Sequence, residues 1–212
     1  MSVAVQGSGA WLNARVGCLT ASRMAESMAR LKPAKGETVG KPAADRRNLL
    51  IELLAERLTG DAVPHYVNDL MRWGIEQEPF AKAEFEAISG ELLTSCGFIL
   101  HRDIAHFGAT PDALLGDDAV VEIKCPQTKT HIQWMLDGEV PEQHRAQILA
   151  QLACTGRSRA VFVSFDPRLP ERQRMFMREW TPEAEAIATV EQEARAFLAE
   201  LDAMFEKLTG GQ

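Results

Sequence analysis

The sequence predicts a single α/β domain in which strands and helices alternate along residues 1–212. Three observations carry that prediction. Residues 108–126 (GATPDALLGDDAVVEIKCP) split into two strand-like runs, with Gly116, Asp117 and Asp118 as turn residues between them. Ala160 to Phe165 (AVFVSF) is a nearly continuous apolar run, as expected of a buried central strand. Residues 43–59 and 181–208 carry apolar side chains at three- and four-residue spacing, the period of a helix with one face in a core. A chain of 212 residues with 46% hydrophobic content can bury such a core. Residues 1–10 are expected to form a flexible N-terminal segment.

Taken in order, Trp11 to Gly17 reads as a short helix with Arg15 near its end. Thr20 and Ser22, both N-cap types, precede the helix-prone run SRMAESMARL. A helix N-terminus with free N–H groups, a hydroxyl and a nearby arginine can hold a terminal phosphate. On this segment alone, ordinary capping is the simpler reading. Lys32 to Pro42 is a basic loop punctuated by Pro and Gly, suited either to following a DNA backbone or to lying free on the surface. The helix over 43–59 has Leu49, Leu50, Leu53, Leu54 and Leu58 as its core stripe and Gly60 as its stop.

A second helical region begins at Asn68 or Asp69 and runs to Gly90. Gly74 and Pro79 predict a kink or break near Glu78, because an interior proline costs roughly 3 kcal/mol. A break would aim Glu78 inward as a third acid; Glu76 is the competing choice, and a solvated surface position is the ordinary fate of either. Residues 98–101 and 104–107 read as short β runs. After Pro126 come a helix around Thr130–Asp137, closed by Gly138, and another over Pro141–Thr155. Gln143, Gln147 and Gln151 fall on one line of that helix. They could orient water at an acidic site, although an exposed polar stripe is the simpler reading. Asp166-Pro167 turns the chain, Arg172 to Trp180 forms a strand, and Thr181-Pro182 predicts the N-cap and first position of the last helix.

The chemistry lies in the hairpin. Its second run alternates, with Val121, Ile123 and Cys125 on one face and Glu122 and Lys124 on the other. Asp112, on the first arm, brings another carboxylate toward Glu122. Two carboxylates and a lysine at a strand end make a hard oxygen site for Mg²⁺, with Mn²⁺ as a substitute and a cation beside it. That set suits phosphodiester hydrolysis. The bare triplet also fits an exposed hairpin with salt-bridged charges.

Other features narrow the class. The formal charge of -7 argues against a DNA-binding surface over the whole molecule. Its distribution is uneven: residues 1–47 hold eight basic and three acidic groups, residues 182–208 seven acidic and two basic. Such polarity suits one face toward phosphate and another toward solvent, or a mosaic of solvated charge. Cys18, Cys96, Cys125 and Cys154 are far apart, which points to reduced thiols in a cytosol without a zinc or iron–sulfur site. The start lacks the pattern of a signal peptide, and no apolar run approaches a membrane span. The histidines have no metal-ligand spacing, and Walker, Rossmann and G-x-S-x-G patterns are absent.

Five segments in order give the chain a family resemblance: RVGCLTASRM (15–24), RWGIEQEP (72–79), the hairpin 108–126, EQHRAQILAQLACTG (142–156) and VSFDPRLP (163–170). Together they resemble the YqaJ-like viral recombinase family, which includes the phage lambda exonuclease. The resemblance implies a restriction-endonuclease-like core, a mixed central β-sheet flanked by helices. It implies Mg²⁺-dependent digestion of double-stranded DNA from 5′ ends, leaving 3′ overhangs. Asp112, Glu122 and the Ile123 carbonyl would hold metal, and Glu78 would sit by a second metal position. Lys124 would orient or deprotonate the attacking water, and Gln147 matches the glutamine of the following helix. Arg15 and Ser22, with Thr20 a weaker candidate, match 5′-phosphate positions. Expected partners are DNA ends, further copies of the chain (a trimeric ring in some relatives) and a single-strand annealing protein, in the cytoplasm of a bacterial host carrying a phage or prophage. Here the motif reads Thr-Pro-Asp-Ala where relatives often have Ser-Pro-Asp-Gly, so Ala113 limits backbone freedom after the ligand. An internally cutting endonuclease and a silent DNA-end binder are the alternatives. The absent cysteine cluster disfavours a Cas4-like exonuclease.

Overall fold

The computed structural model describes residues 6–36, 38, 40–64 and 68–210. Among these residues the chain runs α1 (Gly9–Asn13), β1 (Leu19–Thr20), α2 (Met24–Ser27), α3 (Ala44–Thr59), α4 (Asp69–Ser89), β2 (Leu93–Thr94), β3 (Ile99–Leu100), β4 (Phe107–Ala109), β5 (Ala113–Leu115), β6 (Ala119–Lys124), α5 (Thr128–Asp137), α6 (Glu142–Thr155), β7 (Arg159–Phe165), β8 (Met175–Trp180) and α7 (Ala184–Thr209). The main sheet has the order β2-β5-β6-β7-β8. The β6–β7 pair is parallel and the others antiparallel, so the sheet is mixed. A parallel pair needs a long crossover, and α5 and α6 supply it. A smaller sheet, β1-β4-β3, lies beside it.

The pleat of β6 divides the core. Val121 and Ile123 pack with Ala81 and Phe85 of α4 on one face. Val120 packs with Trp134 of α5 and Ile148 and Leu152 of α6 on the other. Glu122 and Lys124 share the face of Val120, the α6 side. Phe162 of β7 is fully buried there, edge-on to the Trp134 ring and stacked with that of His144. A third cluster joins α2, α3, α6 and α7 around Leu49, Leu53, Phe197 and Leu201. Leu53→Ala should cost about 2–5 kcal/mol by the lost burial and the cavity left behind, read as a lower denaturant midpoint.

Several local expectations are corrected. The first helix is Gly9–Asn13, capped by the Ser8 hydroxyl at 3.2 Å, rather than a helix from Trp11 to Gly17. Residues 1–5 of the expected flexible segment lie outside the described residues. SRMAESMARL forms a 3-10 turn, Ala21–Arg23, followed by the short α2. Leu58 is exposed, because the helix turns its last leucine away from the buried stripe. The expected run at 104–107 contributes only Phe107 to a strand. The last helix starts at Ala184, with Glu183 as its cap, instead of at Pro182.

The α4 helix is continuous through Gly74 and Pro79, so the predicted break near Glu78 does not occur. Proline removes one N–H and disturbs one turn. Burial of Ala81 and Phe85 against the sheet anchors the turns that follow.

The charge polarity of the sequence is partly neutralised within the fold. Arg30 pairs with Glu193, Arg46 with Glu200 and Arg57 with Asp202, tying the N-terminal third to α7. Arg23 is held by Glu26 and Glu52. The basic loop is pinched at its base by a bridge between Arg30 and Pro42. Its residues 37 and 39 lie outside the described residues.

Candidate active site

The buried strand β6 carries the centre. Glu122 is 0% exposed and faces three donors, two amides and one ammonium. Lys124 Nζ lies 2.5 Å and Gln147 Nε2 2.6 Å from Oε1, and Gln151 Nε2 lies 2.5 Å from Oε2. Charge-assisted donors of this kind compensate for the cost of burying a carboxylate. Asp112 immediately precedes β5. The Ala113–Val121 pairing sets it opposite Glu122, where its Oδ2 accepts the Ile123 N–H at 2.6 Å. Both glutamines project from α6, so the expectation of an exposed polar row fails for Gln147 and Gln151 and holds only for the exposed Gln143. Gln151 was missed as a site residue. Its signal was the four-residue spacing from Gln147, which places both amides on the face that meets β6.

Asp112, Glu122, Lys124, Gln147 and Gln151 line one cavity of about 190 Å³ together with Arg15, Thr20 and Ser22. Residues separated by about a hundred positions thus share one wall. The Thr20 and Ser22 hydroxyls lie 3.2 Å apart, and neither caps the turn that follows. Gly17 has φ +65°, and a Cβ there would come within 2.5 Å of Arg57 Cγ. That turn, held by Glu56 and Arg57 of α3, presents Arg15 to the cavity. The Arg15 guanidinium lies 3.9 Å over the Trp11 ring, whose N–H donates to Thr110 Oγ1 at 3.0 Å. Among the described residues Arg15 forms no ion pair, and burial lowers its pKa.

Electrostatics mark the cavity as short of positive charge. Burial, then the Glu122 and Glu78 charges, push the Asp112 carboxyl well above its usual range, against the pull of Lys124. Burial, then the Glu78, Asp112 and Asp166 charges, push the nearby Cys125 thiol up to about 12. Burial disfavours the Lys124 ammonium, but Glu122, Asp112 and Glu78 outweigh it and raise its pKa. The His144 imidazole is held down to about 4 by burial and by Lys124, so it is neutral at neutral pH.

Glu78 is half-buried on α4 and pairs with Lys82 at 2.6 Å, outside the residues that line the cavity. Its charge is felt at Asp112 and Lys124, whereas Glu76 is exposed. Among the described residues no group of three His, Cys, Asp or Glu side chains forms a ready metal cage. The donors at hand are the facing carboxylates of Asp112 and Glu122. Their uncompensated charge fits a hard divalent cation that keeps part of its water.

The profile of the YqaJ-like viral recombinase domain matches residues 10–158. The chain belongs to that family. The alkaline exonuclease LHK-Exo from Laribacter hongkongensis is similar, at 40% identity and a TM-score of 0.85, with 95% of this chain and 96% of that one covered. LHK-Exo in complex with dAMP matches at 41% identity with the same TM-score and coverage. A phage-related exonuclease from Haemophilus somnus 129PT, at 14% identity and a TM-score of 0.66 over 90% of this chain and 96% of that one, shares the fold alone. No curated protein matches the chain. As a YqaJ-family protein the chain has the restriction-endonuclease-like fold and is a lambda-exonuclease-like nuclease. The mixed sheet with α4 on one face and α6 on the other is that core, and the family's hairpin and following helix meet at Glu122.

Proposed function

We propose that the chain is a Mg²⁺-dependent exonuclease, with Mn²⁺ as a substitute, that resects double-stranded DNA 5′→3′ and leaves 3′ overhangs. The observation that carries this reading is one cavity in which an acidic centre stands beside two hydroxyls and an arginine that forms no ion pair among the described residues. The similarity to LHK-Exo, solved with dAMP, supports it, because a deoxynucleoside monophosphate is what stepwise exonucleolysis releases. Asp112 and Glu122 would hold the ion, with the Ile123 carbonyl as a further ligand and Glu78 at a second position. The bound ion would polarise the scissile phosphate and acidify water.

The chain's own groups do the rest. Lys124 Nζ, kept protonated by the acids around it, orients water and stabilises charge developing on the phosphate. Gln147 links the two, donating to Glu122 while its Oε1 lies 3.5 Å from Lys124 Nζ. Arg15, Ser22 and Thr20 receive the 5′-phosphate, and the guanidinium gains a counter-charge there. The resemblance extends the reading to assembly as a homo-oligomer, a trimeric ring in some relatives, and to work beside a single-strand annealing protein in a bacterial cytoplasm. Among the described residues no helix is long and apolar enough to cross a membrane.

Digestion of end-labelled linear duplex, with and without Mg²⁺, tests the reading. The 5′-labelled strand should shorten with the ion and relaxed circular duplex should survive. Cutting of the circle would establish an endonuclease, and end binding without nucleotide release would establish a silent adaptor. Dephosphorylated ends should be digested more slowly than phosphorylated ones, and Arg15→Ala should shrink that preference. Equal rates on both ends in the parent would remove the phosphate-binding role.

A further inference from the structure

We infer that Gln151 is a positioning residue for the metal-binding carboxylate, holding the inner oxygen of Glu122 so that the outer one is free to exchange partners. The inference rests on the proposed hydrolytic site. The two oxygens of Glu122 have different surroundings. Oε1 is shared by Lys124 and Gln147, both half-buried, so its donors can shift when a cation arrives. Among the described residues Oε2 has one hydrogen-bond donor, Gln151 at 2.5 Å, and Gln151 is 0% exposed.

The Gln151 amide is held one way round. Its Nε2 faces the carboxylate, and turning it over would set its oxygen against Oε2. Its Oε1 is buried without a hydrogen-bond partner among the described residues. An unsatisfied buried carbonyl is destabilising, and an apolar side chain of the same shape would avoid that cost. A residue retained only for packing has no need of that cost. The donor bond to Glu122 is what the amide supplies, and outer partners of this kind set ligand orientation and metal affinity.

Gln151→Met keeps the length and removes the donor. Mn²⁺ binding to the full chain without DNA, followed by electron paramagnetic resonance, should weaken by about 10–100-fold, the range for lost outer-shell partners. The Mg²⁺ concentration for half-maximal digestion should rise in parallel, while thermal stability without metal falls only modestly, since relief of the amide oxygen offsets part of the donor lost to Glu122. Unchanged or tighter Mn²⁺ binding in the folded variant would overturn the positioning role. So would weaker binding that only tracks unfolding of the variant at the assay temperature. A parent that binds no Mn²⁺ would overturn the hydrolytic site itself, and this inference with it. If the parent binds and cuts but Gln151→Met is indistinguishable from it, the inference alone fails.

Discussion

Glu122→Gln should digest linear duplex at least about 10³-fold more slowly than the parent at saturating Mg²⁺, a loss on the order of 4 kcal/mol of transition-state stabilisation. The carboxylate accepts from Lys124, Gln147 and Gln151 and donates nothing. An amide in its place turns an NH₂ group toward one or two of those donors, and it removes the charge that balances Lys124. Ion binding and the orientation of the ammonium should fail together, so the loss should persist at high ion concentration. Single-turnover digestion measures it. A variant that cuts at the parental rate would remove Glu122 from the reaction.

Asp112→Asn should lose activity on a similar scale and yet gain thermal stability when metal is absent. In the folded protein the Asp112 carboxyl holds its proton more tightly than in the unfolded chain, because burial, Glu122 and Glu78 oppose its charge. The destabilisation therefore develops as pH rises above the ordinary carboxyl range and is complete above the raised pKa; at low pH it is absent. Asparagine avoids it and can still accept the Ile123 N–H. Each kcal/mol relieved corresponds to roughly 2–4 °C in Tm for a chain of this size. Added Mg²⁺ should stabilise the parent and close the gap, since the cation would supply the missing charge. Melting curves of both proteins near pH 5 and pH 8, with and without Mg²⁺, test each part. An unaltered metal-free Tm at pH 8 would contradict the electrostatic account.

The hairpin was legible because its signals are local. Alternation in β6 puts Glu122 and Lys124 on one face whatever surrounds them, and Gly116 can make the turn alone. Gly60, Gly90 and Gly138 ended their helices where expected for the same reason. The failures involve competition between distant parts. Pro79 should have broken α4, but packing of Ala81 and Phe85 on the sheet outweighed one lost hydrogen bond. The basic N-terminal third left a phosphate-facing surface and a mosaic of solvated charge both open, and part of that charge is taken up by Glu193, Glu200 and Asp202 of α7. Gln151 shares a line with the exposed Gln143, so its own helix leaves an exposed stripe and a row facing an acidic site both open until β6 packs against it.

By itself the sequence determined the periods, the turns and the chemical inventory of the hairpin, since these depend on neighbours a few bonds apart. The tertiary structure decided which charges remain unbalanced. Arginines near the N-terminus could have met DNA or α7; for Arg30, Arg46 and Arg57 the fold chose α7, and Arg15 was left to share a cavity with Asp112 and Glu122. That choice depends on through-space distance and burial, which fix the strength of every charge interaction and do not exist until the chain has packed.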